Sequence, residues 1–127
     1  EAGTTASEFE FLPVDVNLQR CLRYFQTFRG EDVVIANGGM GAATSFVGMV
    51  AYLVEMRATP TFTANSGTDF FRVYTTAGSN PVTVAANNLT GTRTMTLNAT
   101  TPSSLTVGQA GYFRCSQGGI VDFSAEL

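Results

Sequence analysis

The 127-residue chain contains no histidine and no tryptophan, and its seven basic residues are all arginine, so lysine is absent as well. Each absence removes a chemistry. Without an imidazole there is no Ser-His-Asp triad, no Cys-His dyad and no histidine-ligated zinc. Without lysine there is no Schiff base and no phosphate-loop lysine. Ten acidic residues give a net charge of −3 and a pI near 4.7. That balance disfavours polyanions, so neither nucleic acid nor an anionic membrane is an expected partner. Long hydrophobic runs are also missing. The longest, residues 46–54, is interrupted by Gly48 and falls far short of the roughly 20 residues a membrane-spanning helix needs. No signal-peptide pattern opens the chain, which starts at Glu1 rather than Met, and an upstream segment is expected to have been removed.

Cysteine is scarce. Cys21 and Cys115 lie too far apart for a zinc spacing or a redox C-x-x-C. One disulfide between the terminal strands is a possible reading; two buried free thiols packed as small hydrophobes is the preferred one.

What is present favours strands. A 44% hydrophobic content at this length closes one core without metal or disulfide. Abundant Thr with Val, Phe and Tyr suits pleated surfaces, and Asn with 13 Gly supplies turns. Residues 1–12 read as a linker or the exit segment of an upstream module, and residues 13–127 as one domain. Asp15 is the expected N-cap of a short helix carrying Leu18 and Leu22 on one face, although Val14, Val16 and Leu18 also alternate as a strand would. Residues 24–28 and 33–36 read as strands, the second ending in an Asn37-Gly38 hairpin turn. The return strand, residues 44–57, is apolar on both faces and is expected to be central and covered on both sides, with a bulge at Gly41 or Gly48. Further strands are expected at 61–64, 69–76, 82–86, 91–98, 105–107, 111–116 and 120–126. Turns are expected at residues 77–81, at Asn87-Asn88 and at Gly118-Gly119. The pattern is that of an all-β antiparallel sandwich, jelly-roll-like, with one short helix near the N-terminus.

Gly38-Gly39-Met40-Gly41 resembles a phosphate-cradling loop only superficially, because a β-branched and aromatic strand follows where a helix N-terminus is needed. Among the carboxylates Asp32, Glu55, Asp69 and Asp122 fall on different elements, and catalysis by a pair of them is a minor alternative. No catalytic residue, metal ligand or cofactor is expected. Outward aromatics beside polar groups are the better candidates. With Phe71 and Val73 facing the core, Phe70, Arg72 and Tyr74 are expected to project outward beside Asp69 and Asn65. Tyr112 and Arg114 repeat the pattern opposite Phe113 and Cys115. Arg93 is another basic residue free to bind. Such a set makes a saccharide platform, the ring packing on C–H faces and the polar groups binding hydroxyls; a subunit interface would select the same residues.

Four segments carry a resemblance. Leu18-Gln19-Arg20-Cys21-Leu22-Arg23-Tyr24-Phe25 resembles the Leu-x-x-Cys-x-Arg-Tyr-Tyr segment that opens the C-terminal modules of many bacteriophage tail fibres and tailspikes. Met56-Arg57-Ala58-Thr59-Pro60-Thr61 is similar to the Met-Arg-x-x-Pro-Thr after their central strand, and the ending Asp122-Phe123-Ser124-Ala125-Glu126-Leu127 to their Ala-Glu-Leu terminus. Residues 1–10 resemble the linker that precedes such modules. Phe25 departs from the second tyrosine, Cys115 has no counterpart, and residues 65–106 match no family pattern. The resemblance implies a distal β-sandwich module, a homotrimer on the virion, that binds host surface polysaccharide or lipopolysaccharide without a cofactor. It carries over no catalytic residues, and implies structural roles for Arg23 and Arg57 at strand ends and for Leu18 and Cys21 on the core. The rival expectations are a trimerisation or folding cap without ligand, a glycan depolymerase, and a secreted bacterial lectin-like domain.

Overall fold

The computed structural model describes residues 12–126; the expected linker lies almost wholly outside them. The chain forms a helix α1 (Val14–Leu22) followed by ten strands: β1 (Phe25–Arg29), β2 (Val34–Ala42), β3 (Ser45–Ala51), β4 (Thr61–Ala64), β5 (Phe71–Thr75), β6 (Gly78–Pro81), β7 (Val84–Thr90), β8 (Thr94–Thr100), β9 (Ala110–Cys115) and β10 (Ile120–Ser124). They build two antiparallel sheets, β6-β5-β9-β2-β3-β8-β7 and β1-β10-β4. The expected all-β sandwich with one short helix is what the sequence forms.

The larger sheet is rolled. Its edge strands β6 and β7 are joined by Val82 and Thr83 alone, which reach only about 10 Å, whereas the edges of a flat seven-stranded sheet lie about 29 Å apart. Val82 donates its backbone N–H to Phe71 O on one side of the junction and Thr83 to Thr100 O on the other. Glycine makes the bend possible. Gly48, Gly38 and Gly111 pair in a row across β3, β2 and β9, and a Cβ on Gly48 would lie 2.6 Å from the Phe46 ring. This row also corrects the Asn37-Gly38 hairpin. A Cβ on Gly38 would collide with the Val47 carbonyl, so the glycine serves close strand approach inside β2, and the chain reverses at Ala43-Thr44 instead. Gly41 takes the expected bulge.

Inside the roll lie Phe46, Val50, Phe71, Val73, Leu97 and Phe113, and Phe123 from the smaller sheet, all at most 1% exposed. Buried Gln26 ties the layers together. Its Nε2 donates to Leu22 O and Val54 O, each at 3.0 Å, and its Oε1 accepts from Leu53 N at 2.9 Å, so a buried amide is satisfied.

Other expectations are revised. β3 is central but buried on one face only, leaving Met49 61% and Leu53 66% exposed, because the smaller sheet packs inside the roll and nothing described covers the outside. Pro13, not Asp15, caps α1; Asp15 sits in the first turn, where its charge favours the helix dipole. The helix buries no residue: Leu18 is 56% exposed and Cys21 is exposed, so neither packs on the core. Arg57 lies over the Tyr24 ring at 4.9 Å rather than on a carbonyl. Residues 78–81 form edge strand β6, where Pro81 is tolerated, and Asn87-Asn88 lies in a bulged stretch of β7. Residues 105–107 are loop. The last hairpin turns at Gln117-Gly118, both with positive φ, because Gly119 is packed against the Phe70 carbonyl.

Candidate aromatic and arginine site

Strand alternation places Arg72 and Tyr74 of β5, and Tyr112 and Arg114 of β9, on the outer face of the larger sheet. Register pairs Tyr74 with Tyr112 and Arg72 with Arg114. The tyrosine rings stack with centroids 5.2 Å apart and 3° between planes, and the Arg114 guanidinium lies 4.1 Å from the Tyr74 ring centre. Arg114 also donates to the Tyr74 hydroxyl and pairs with Asp32. Arg72 bonds Asp69 at 2.9 Å and Ser79 at 3.1 Å. Beside the rings lies a shallow depression of about 420 Å³ lined by Tyr74, Thr75, Thr76, Ala110, Gly111 and Tyr112.

The electrostatics are self-contained. Asp69 holds the Arg72 guanidinium protonated more firmly than usual. Hydrogen bonding to Ser79, then the charge of Arg114, draws the Tyr74 phenol below its ordinary range. Each arginine therefore has its own carboxylate, and the surface left open is ring and hydroxyl. Tyr112, 37% exposed, is the more accessible of the two stacked tyrosines.

Of the expected site residues, Asp69, Arg72, Tyr74, Tyr112 and Arg114 come together. Three do not. Phe70 is half-buried against the core: Asp69 has φ 73, the chain turns there, and the strand's alternation starts only with the inward Phe71. Asn65 caps the other sheet, its Oδ1 accepting from Ile120 N at 2.6 Å. Arg93 lies on the β7–β8 turn, paired with Glu55 at 2.9 Å, and holds that carboxyl below its usual range. Two site residues lie outside the expected set: Asp32, whose neighbours are decided by pairing between strands far apart in sequence, and Ser79, because residues 77–81 read as a turn whereas 78–81 form the return strand of the β5–β6 hairpin. Asp32 left one signal, an acidic residue after Gly30-Glu31 where a left-handed turn residue fits; its φ is 64.

The two cysteines are free, with no disulfide: Cys115 is buried and Cys21 exposed, which revises the expectation that both are buried. Among the described residues no three His, Cys, Asp or Glu side chains gather as a metal site, and no helix is long and apolar enough to cross a membrane. Fold and site define an all-β sandwich domain that displays a tyrosine–arginine ladder on an open sheet face. No protein-family model, curated protein or solved structure matches the chain.

Proposed function

We propose that this chain is a receptor-binding module of a bacteriophage tail fibre or tailspike, acting on the virion as a homotrimer that grips a host surface polysaccharide or lipopolysaccharide without enzymatic turnover. The observation that carries the reading is the stacked Tyr74–Tyr112 pair, with the Tyr112 ring exposed, beside a groove. Stacked rings present a flat apolar surface to sugar C–H groups, and Thr75, Thr76 and the tyrosine hydroxyls supply hydrogen bonds at its rim. Arg72 and Arg114 are positioning residues that lock Tyr74. Asp32, Glu55 and Asp69 are each bonded to a different arginine, and Asp122 lies 3.8 Å from another. That arrangement favours binding over two-carboxylate hydrolysis, which needs two carboxyls facing one scissile bond.

The test is an array of bacterial surface glycans probed with the whole protein and with Tyr112→Ala. Binding to at least one glycan, weakened about tenfold or more by the variant, is expected. A silent array for the wild-type protein would reject the reading.

A second reading, an assembly cap without ligand, is favoured by one observation. Val84, Met49, Leu53 and Leu89 are 58%, 61%, 66% and 70% exposed, and Met49 and Leu89 line one depression, apolar surface of the kind that a neighbouring chain covers. Fibres that lose trimeric mass when the module is deleted, yet infect normally with Tyr112→Ala, would support it.

A further inference from the structure

The smaller sheet has an outer face of its own, and its chemistry is that of a hydroxyl binder. Register aligns Thr27, Asp122 and Thr63 in one row and Phe25, Ser124 and Thr61 in the next. All six side chains alternate away from the core, whose contributions from these strands are Gln26, Val121 and Phe123. A depression of about 250 Å³ opens there, lined by Thr63, Ala64, Asn65, Ile120 and Asp122.

Its polar groups are incompletely used. Asn65 spends its Oδ1 on Ile120 N, which fixes the amide and leaves Nδ2 as a donor with no hydrogen bond among the described residues. Asp122 has an enclosed Oδ1 without a hydrogen-bond partner. Arg29 stands 3.8 Å from that oxygen, near enough for an ion pair but too far for a hydrogen bond, and Arg29 Nε is bonded to Thr27 at 2.9 Å. Asp122 Oδ1 is held by charge alone, and the remaining acceptor of this partly exposed carboxylate stands beside the donors of the fixed Asn65 amide at the depression.

We propose that this depression is a second saccharide subsite, taking the vicinal hydroxyl pair of a neutral sugar. One hydroxyl donates to Asp122 Oδ2, the oxygen that is not enclosed, and the other accepts from Asn65 Nδ2, while Thr63 closes the rim. The donor and acceptor complement a diol and not a carboxylate or phosphate, which Asp122 would repel. The inference rests on the preceding reading only for the class of ligand; the residues, the sheet and the face are different.

Amide chemical shifts of the whole labelled protein, followed while methyl α-mannoside, methyl α-galactoside and methyl α-rhamnoside are added, test it. At least one is expected to move the signals of residues 63–65 and 120–122, with an affinity reduced about tenfold or more by Asp122→Asn and less by Thr63→Val. Tyr112→Ala should leave these shifts untouched, which separates this site from the tyrosine ladder. Shifts confined to Tyr74 and Tyr112 would overturn the second subsite and leave the first reading standing. No shift with any of the three glycosides, or shifts at the smaller sheet that follow protein concentration instead of sugar, would overturn it as well.

Discussion

Strands β5 and β9 carry two aromatic stacks, one on each face, at the same ring spacing. On the inner face Phe71 and Phe113 have centroids 5.2 Å apart and 23° between planes; on the outer face Tyr74 and Tyr112 have 5.2 Å and 3°. The inner rings are at most 1% exposed, whereas Tyr112 is 37% exposed. Cross-strand pairing brings rings together on either face. What differs is the medium around them: hydrocarbon inside, hydroxyls and ion pairs outside. The same geometry therefore holds the fold on one side and meets solvent on the other.

The comparison is sharpest under truncation. Phe113→Ala empties core volume and is expected to lose about 3–5 kcal/mol in equilibrium denaturation, while Tyr112→Ala loses less than about 1 kcal/mol. Equal losses would break the distinction between the faces. The next largest effect is expected at the glycine row that rolls the sheet beneath both stacks. Gly38→Ala forces a Cβ against the Val47 carbonyl and should lower stability by about 1–3 kcal/mol, read as a depressed melting temperature. A glycine serving an exposed hairpin turn would tolerate it with far less loss.

Alkaline pH probes burial more gently. Burial pushes Tyr52 from 10.0 to about 12 and Cys115 from 9.0 to about 11. Both groups stay protonated in the fold while the unfolded chain ionises, so their contribution is complete below the unfolded values and is lost as pH rises through 9 and on to 12. The melting temperature should fall across that window and recover on neutralisation. The smallest effect is chemical only: iodoacetamide should label exposed Cys21 in the native protein and reach Cys115 only after denaturation, as peptide mass spectrometry would report.

Local chemistry made much of this architecture legible. Strand β4 falls where Pro60 and Asn65-Ser66-Gly67 bracket it, and the phase of β5 and β9 follows from Phe71, Val73 and Phe113 alternating with Arg72, Tyr74 and Arg114. Pairing was not legible. Asn37-Gly38 has the composition of a turn, yet neighbours from β3 and β9 hold it in a strand. Residues 78–81 look like a turn, but the rolled sheet needs an edge there. Asn65 and Asp69 are four residues apart and end on different sheets, because Gly67 and Asp69 both turn the chain through positive φ between β4 and β5. The site followed the same rule: the phase of the strands gave its four central residues, while Asp32 depended on which distant strands meet and Ser79 on residues 78–81 forming a hairpin strand instead of a turn.

On the proposed reading the outer stack binds saccharide and does not hold the fold. Its most direct test measures binding of wild-type and Tyr74→Ala/Tyr112→Ala protein to the same host surface polysaccharide, with a melting curve for each. The variant is expected to melt cooperatively, displaced by only a few degrees, and to bind about tenfold or more weakly. A variant that stays folded and binds as tightly as the wild type would contradict that reading.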